Sequence, residues 1–193
     1  VDYIDLCQAH WADVDVKIEE TMRAFDDLIQ AGKVRAVGCS NYSGTQLREA
    51  LEVSEKFGLA RYESLQPHYS LVHRSEYEAE LAQICRENEI GVIPYSPLAA
   101  GFLTGKYRRD QKADSVRAGS VAKYFTEKNW MLLDKMDEIA AVHGASVTQV
   151  ALAWQLADEI ITSPIIGANS VSQLEDSLGA VDVTLTVDER SFL

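Results

Sequence analysis

Polar and reactive side chains recur just after short apolar runs: His10, the pair Ser40 and Asn41, Gln66, Tyr95 with Ser96, and Asn169 behind Gly167. Imidazole moves a proton near neutral pH, amides and hydroxyls supply donors and acceptors, and a tyrosine ring adds an apolar face. Polar groups at the C-terminal ends of successive strands are what an active site at a barrel rim requires. Each also has an ordinary structural reading. His10 can cap a core strand, Asn41 can begin a turn, and Gln66 before Pro67 can sit in a loop. Tyr95 suits a strand wall, Ser170 with Gln173 spells a capping box, and Lys106 reads as a solvated loop lysine.

Other chemistries find no support. The chain has no G-x-G-x-x-G for a Rossmann dinucleotide site. The segment from Gly101 to Tyr107 resembles a P-loop but is one residue short, and Tyr107 stands where Ser or Thr must meet magnesium. His10, His68, His73 and His143 make no i,i+4 pair and Cys7, Cys39 and Cys85 lie far apart, so no metal site is expected. No G-x-S-x-G elbow is present. Glu19, Glu20, Asp26 and Asp27 read as a solvated helix face rather than paired acid and base.

The elements that must position these groups alternate strand and helix. Residues 1–10 are strand-like, with Ile4, Leu6, Gln8 and His10 on one face by period-2 alternation. Ile18, Met22, Phe25, Leu28 and Ile29 make a helical stripe over 18–31 closed by Gly32. Strands follow at 34–38, 62–66, 91–95 and 161–166, and helices at 46–57, 76–88, 131–143, 147–156 and 170–178. Ser146 with Gln149 caps the helix at 147. A long loop is expected over 96–125, with Tyr107, Arg108 and Arg109 in a mobile part of it, and a trailing segment over 183–193. Short, continuously apolar strands alternating with helices predict a parallel sheet covered by helices. An open doubly wound sheet and part of a barrel both fit that pattern; the rim polar groups favour the barrel.

Length and composition set the remaining bounds. A chain of 193 residues, 47% hydrophobic and 25% charged, suits one ordinary globular domain over 1–193. A formal charge of −12 argues against nucleic acid or anionic lipid as partner, so any phosphate must be held locally. Three scattered cysteines suit a reducing, cytoplasmic setting, and no apolar run reaches membrane-span length. The chain enters a strand directly at Val1 without Met, which reads as a cut.

The blocks VDYIDLCQAHW, IEETMRAFDDLIQAGKVRAVGCSNY, SLQPHYSL, IPYSPLAAGFLTGKY and PIIGANSVSQLEDSL, in this order, resemble the aldo-keto reductase family across nearly the whole chain. The resemblance implies a TIM-type (β/α)8 barrel that binds NADPH without a Rossmann fold. Val1 falls at the fourth strand, leaving a partial barrel of about five parallel βα units (strands 4 to 8), open or completed by oligomerisation.

By the same resemblance His10 orients the substrate carbonyl and assists its protonation. Ser40, Asn41 and Gln66 hold the nicotinamide carboxamide, whose acceptor and two donor hydrogens suit amide and hydroxyl groups. Tyr95 stacks on the nicotinamide. Ser96, Leu98 and the loop from Gly101 to Lys106 close over the pyrophosphate. Gly167, Asn169, Ser170 and Gln173 take the 2′-phosphate at a helix start, where free amides favour an anion. Two features depart from the family pattern: Ser177 replaces an adenine-contacting Asn, and neither Asn169 nor Ser170 is basic. The implied cofactor is therefore NADP, with NAD as the alternative.

The family's proton-donating tyrosine, its lysine and its aspartate precede the fourth strand and have no counterpart in these residues. The leading expectation is an NADP-dependent reductase of small carbonyl compounds, weak or inactive as this chain alone. The alternatives are a non-catalytic half-barrel that binds dinucleotide or assembles into a homo-oligomer through exposed barrel edges, and, behind it, a remnant fold recruited for other chemistry such as ester hydrolysis.

Overall fold

The computed structural model describes residues 1–109 and 118–193. It comprises two compact units, one of Val1–His68 with Ser75–Ile93, the other of Tyr69–Arg74 with Pro94–Leu193.

The first unit holds a four-stranded parallel sheet in the order β1 (Ile4–Ala9), β2 (Val34–Ser40), β3 (Tyr62–Gln66), β4 (Gly91–Val92). Helix α1 (Ile18–Gln30) follows β1 and α2 (Gly44–Phe57) follows β2; a π turn over Tyr77–Leu81 leads into α3 (Ala82–Glu87). Gly32, at φ +68°, ends α1 in a Schellman turn, the Lys33 N–H donating to Leu28 O at 3.0 Å. Helix α2 starts two residues before the expected 46 because Ser43 and Gln46 form a reciprocal capping box. Strand β2 runs on to Ser40, two residues past its expected end.

Strand β4 stops far short of 95. The Ile93 N–H still donates to Leu65 O at 3.0 Å, but Pro94 has no N–H to continue the ladder.

The sheet has two unlike faces. Val37, Cys39, Leu65 and Val92 lie in register on one, all fully buried, as are Met22, Leu47 and Ile84 of the helices. The other carries Gln8, Gly38 and Ser64 in one row and Ser40 with Gln66 in the next. The β2–β3 register shifts between Val37 and Gly38: Val37 pairs with Tyr62 and Gly38 with Ser64, leaving Glu63 as the extra residue of a bulge. Strand β1 is an edge, where Ile4 and Leu6 remain 47% and 36% exposed.

The second unit is mostly helical: α4 (Ala118–Val121), α5 (Glu127–His143), α6 (Val147–Leu156), α7 (Val171–Leu178) and α8 (Val187–Phe192). Helix α6 begins at the expected capping box of Ser146 and Gln149. Helix α5 begins four residues before the expected 131, because Thr126 accepts from the Asn129 N–H. The trailing segment is a helix, α8, started by a capping box of Thr186 and Glu189.

The strand expected at 161–166 is reduced to one parallel bridge between Tyr95 and Ile165, with Ile165 N–H donating to Pro94 O at 2.8 Å. Pro164 and Pro94 each remove a ladder donor there. The loop expected over 96–125 contains a 3-10 stretch at Ala99–Thr104, α4, and a 3-10 turn at Ala122–Tyr124, while its residues 110–117 lie outside the described residues.

Candidate functional site

In the first unit the ends of three neighbouring strands are tied together by their polar residues. Asn41, just past β2, takes a left-handed conformation (φ 57°), which a short amide side chain tolerates. Its Nδ2 donates to the carbonyl of His10 beyond β1 and to Ser40 Oγ, both at 3.0 Å. Ser40 Oγ, 2% exposed, donates in turn to the Gln66 carbonyl at the end of β3 at 2.7 Å. Gln66 Nε2 donates to Gln8 Oε1 at 2.9 Å. His10, Ser40, Asn41 and Gln66 are thus brought together as expected from their strand-end positions. The His10 ring is exposed beside Trp11, with centroids 5.8 Å apart.

Two residues of this region escaped the sequence reading of the site. Gln8 reaches Gln66 from across β2, and it can do so because Gly38 lies between them. A Cβ on Gly38 would strike Ser64 Oγ, stand 2.8 Å from the Ser64 carbonyl and 3.3 Å from Gln8 Nε2. The available signal was alternation, which puts Gln8 on the face of His10.

A tyrosine also follows Asn41, but it is no proton donor for the rim. The Tyr42 hydroxyl pairs with that of Tyr62 at 3.0 Å inside the helix-covered core, and burial raises both hydroxyls above the ordinary phenol value. Burial likewise pushes the thiols of Cys39 and Cys85 up, Cys85 to about 12, so neither is a nucleophile.

The second unit holds its candidates differently. Tyr95 is half-buried at the bridge to Ile165. Beyond it the backbone turns left-handed at Ser96 (φ 55°), Ala99 (49°), Ala100 (56°) and Gly101 (96°). For Ala each such residue costs roughly 1–2 kcal/mol, so surrounding contacts must impose the shape. They do so through Phe102, fully buried against Tyr124, Phe125 and Trp130 at centroid distances of 5.2–6.0 Å.

Leu98 is half-buried at the head of this loop and Thr104 Oγ1 donates to Gly101 O at 2.9 Å. The Lys106 amine lies over the Tyr107 ring at 5.0 Å and would be 3.0 Å from a Cβ on Gly101. Tyr107 is buried rather than presented to solvent, Arg108 pairs with Asp137 at 3.1 Å, and Arg109 pairs with Glu127 at 2.6 Å. Both arginines thus pair with carboxylates of α5.

Gly167, Asn169, Ser170 and Gln173 are all exposed at the start of α7. There Ser170 Oγ accepts from Gln173 N–H at 3.2 Å and Gln173 Oε1 accepts from Asn169 N–H at 2.8 Å. The expected capping box is formed in its side-chain half, and these polar atoms already serve the helix end.

Among the described residues no three His, Cys, Asp or Glu side chains cluster as metal ligands, and no helix is long and apolar enough to cross a membrane.

A family model described as "Aldo/keto reductase family" matches residues 1–191. Similar proteins include an aldo-keto reductase of Metarhizium robertsii, 37% identical over 99% of this chain and 52% of its own length. An aldo-keto reductase of Fusarium vanettenii is 35% identical over the same shares. An L-glyceraldehyde 3-phosphate reductase of Escherichia coli O157:H7 is 33% identical over 98% of this chain and 57% of its own. The chain spans about half the length of the curated relatives it matches. Among solved structures, a thermostable aldo-keto reductase in complex with the inhibitor epalrestat superposes with a TM-score of 0.77 at 26% identity, over 99% of this chain and 59% of that one.

Proposed function

The chain belongs to the aldo/keto reductase family, and from that premise we propose that it carries the cofactor side of an NADP(H)-dependent carbonyl reductase. The observation that carries the reading is the hydrogen-bonded set at three successive strand ends, Asn41 with Ser40, then Gln66. The fit to a nicotinamide carboxamide is chemical. Gln66 Oε1 is an acceptor with no partner among the described residues and suits the carboxamide NH2, while the Ser40 hydroxyl and Asn41 Nδ2 donate within the set and hold the strand ends in place.

When bound, the reduced dinucleotide supplies a hydride from nicotinamide C4. His10 orients the carbonyl oxygen and assists its protonation. Ser40, Asn41 and Gln66 hold the carboxamide, and Tyr95 offers its ring as a stacking surface. Ser96, Leu98 and the loop from Gly101 to Lys106 cover the pyrophosphate. Gly167, Asn169, Ser170 and Gln173 take the 2′-phosphate, with NAD as the alternative to NADP. The fold is read as a partial TIM-type barrel of about five βα units, acting on a small carbonyl compound in a cytoplasmic setting that suits its three free cysteines.

Titrating NADPH and NADH against the fluorescence of Trp11, Trp130 and Trp154 tests the cofactor reading. Saturable binding, tighter for NADPH, is expected; no saturation with either overturns it. These 193 residues contain no counterpart of the family's catalytic tyrosine, lysine and aspartate, so NADPH oxidation with 4-nitrobenzaldehyde is expected near background. Turnover at ordinary enzyme rates overturns that part.

A second reading, an assembling half-barrel, draws on the exposed Ile4 and Leu6 of edge strand β1. Light scattering should then give a mass above the 21.4 kDa of one chain; a single-chain mass removes this reading.

A further inference from the structure

Gln8 is an unexpected residue for its place. Along β1 it shares a face with Ile4 and Leu6, where an apolar side chain would suit the strand better. One end of its amide is buried without a partner: Nε2 has no acceptor, and neither does the neighbouring Ser64 Oγ a partner. An unsatisfied buried amide destabilises a fold, so its presence asks for a role elsewhere. The other end of the amide supplies one. Gln8 Oε1 accepts from Gln66 Nε2 at 2.9 Å, though the two residues stand on strands separated by β2. Adjacent strands lie about 4.8 Å apart, so the link spans roughly 10 Å of sheet and needs two long side chains lying over the middle strand. Gly38 leaves that path open, since a Cβ there would stand 3.3 Å from Gln8 Nε2.

We propose that Gln8 is a positioning residue: by its hydrogen bond to Gln66 across Gly38, it holds the Gln66 side-chain amide over β2, where it meets the nicotinamide carboxamide. This rests on the cofactor reading above. The backbone of Gln66 is held separately, its carbonyl accepting from Ser40 Oγ at 2.7 Å, and that bond leaves the side chain free to swing. With Nε2 committed to Gln8, Oε1 is the end presented, and it accepts from the carboxamide NH2. Without Gln8 the Gln66 side chain spreads over several rotamers, only a fraction of which bring its amide to the carboxamide, and affinity falls by that fraction.

The test compares two probes on the whole chain: NADPH, and 2′-phospho-ADP-ribose, which lacks the nicotinamide. In Gln8→Met, of similar size but without the acceptor, NADPH should bind about three- to tenfold more weakly while the fragment binds as before. Gln8→Glu keeps an acceptor and should recover most of the lost NADPH affinity. Gln66→Met should cost less NADPH affinity in the Gln8→Met background than in wild type, because Gln8 acts through Gln66. Gln8→Asn, one methylene too short to reach, must show the same split and stands in if Gln8→Met does not fold. Equal NADPH affinity in wild type and Gln8→Met overturns the proposal alone and leaves the cofactor reading standing. Equal weakening of both probes also overturns it, as general loosening of the sheet. If the wild-type chain binds neither probe, both readings fall together.

Discussion

The two units hold their candidate residues by opposite means. In the first, the side chains at the strand ends are fixed by a ladder: parallel register sets the backbone, and hydrogen bonds from Asn41, Ser40 and Gln66 set the side chains. In the second, a loop with Ala99 and Ala100 in left-handed conformation is kept in shape by the burial of Phe102 and by the ion pairs of Arg108 and Arg109 with α5. A ladder distributes its support over many equivalent bonds and tolerates no added volume at close approaches. A strained loop stores a cost that a better-suited residue releases.

The largest effect should come from adding one methyl to the ladder. Gly38→Ala puts a Cβ against Ser64 Oγ and its carbonyl, and the backbone contact has nowhere to go. Overpacking of this kind costs about 1–3 kcal/mol, so the urea midpoint should fall clearly and NADPH affinity should fall with it. An unchanged midpoint would mean that β2 and β3 are not held in this register.

The reverse substitution in the other unit should act in the opposite direction. Ala100→Gly relieves a left-handed alanine, worth roughly 1–2 kcal/mol, against a glycine entropy cost of about 0.5–1 kcal/mol in the unfolded chain. A net gain of about 0.5 kcal/mol is expected by the same urea measurement. A loss would show that the loop does not carry this strain.

The smallest effect concerns pH. Glu189 accepts from the backbone of Thr186 and pairs with His143 at 2.9 Å, and these contacts, the backbone one first, hold its carboxyl below the ordinary value. A lowered folded value means stability that is present above the unfolded carboxylate value near ~4.3 and is lost as pH falls through the folded one. Glu189→Gln should therefore be less stable than wild type at neutral pH, with the gap closing in acid. A gap that stays constant down to about pH 3 would contradict this. The first unit should show no such acid step from its shifted groups, since Cys39, Tyr42, Tyr62 and Cys85 are all held in their neutral forms.

The same contrast governs what was legible in the sequence. Strand β3 and helix α6 fall on their expected boundaries because the first ends before Pro67 and the second starts at a capping box. Alternation placed Gln8 with His10, but the Gln8–Gln66 contact depends on the register of three strands, which no single segment encodes. The shortened β4 was marked by Pro94, and the single bridge at Ile165 by Pro164, both read too lightly against an apolar run. Ser43 with Gln46 and Thr186 with Glu189 were overlooked capping boxes of readable spelling. The left-handed turn at Ala99 and Ala100 has no such spelling. Alanine is the helix former least associated with that backbone, and distant aromatic packing imposes the turn.

The bulge at Glu63 has an arithmetic consequence. Strict alternation would aim Tyr62, Ser64 and Gln66 the same way. The extra residue resets the count, so Tyr62 pairs with Val37 toward the buried tyrosine pair while Ser64 and Gln66 turn to Gln8 and Gly38. One short strand thereby changes parity midway and serves two masters. Point substitutions can tune either customer alone, whereas deleting a single residue between Tyr62 and Ser64 would force a choice between core and rim.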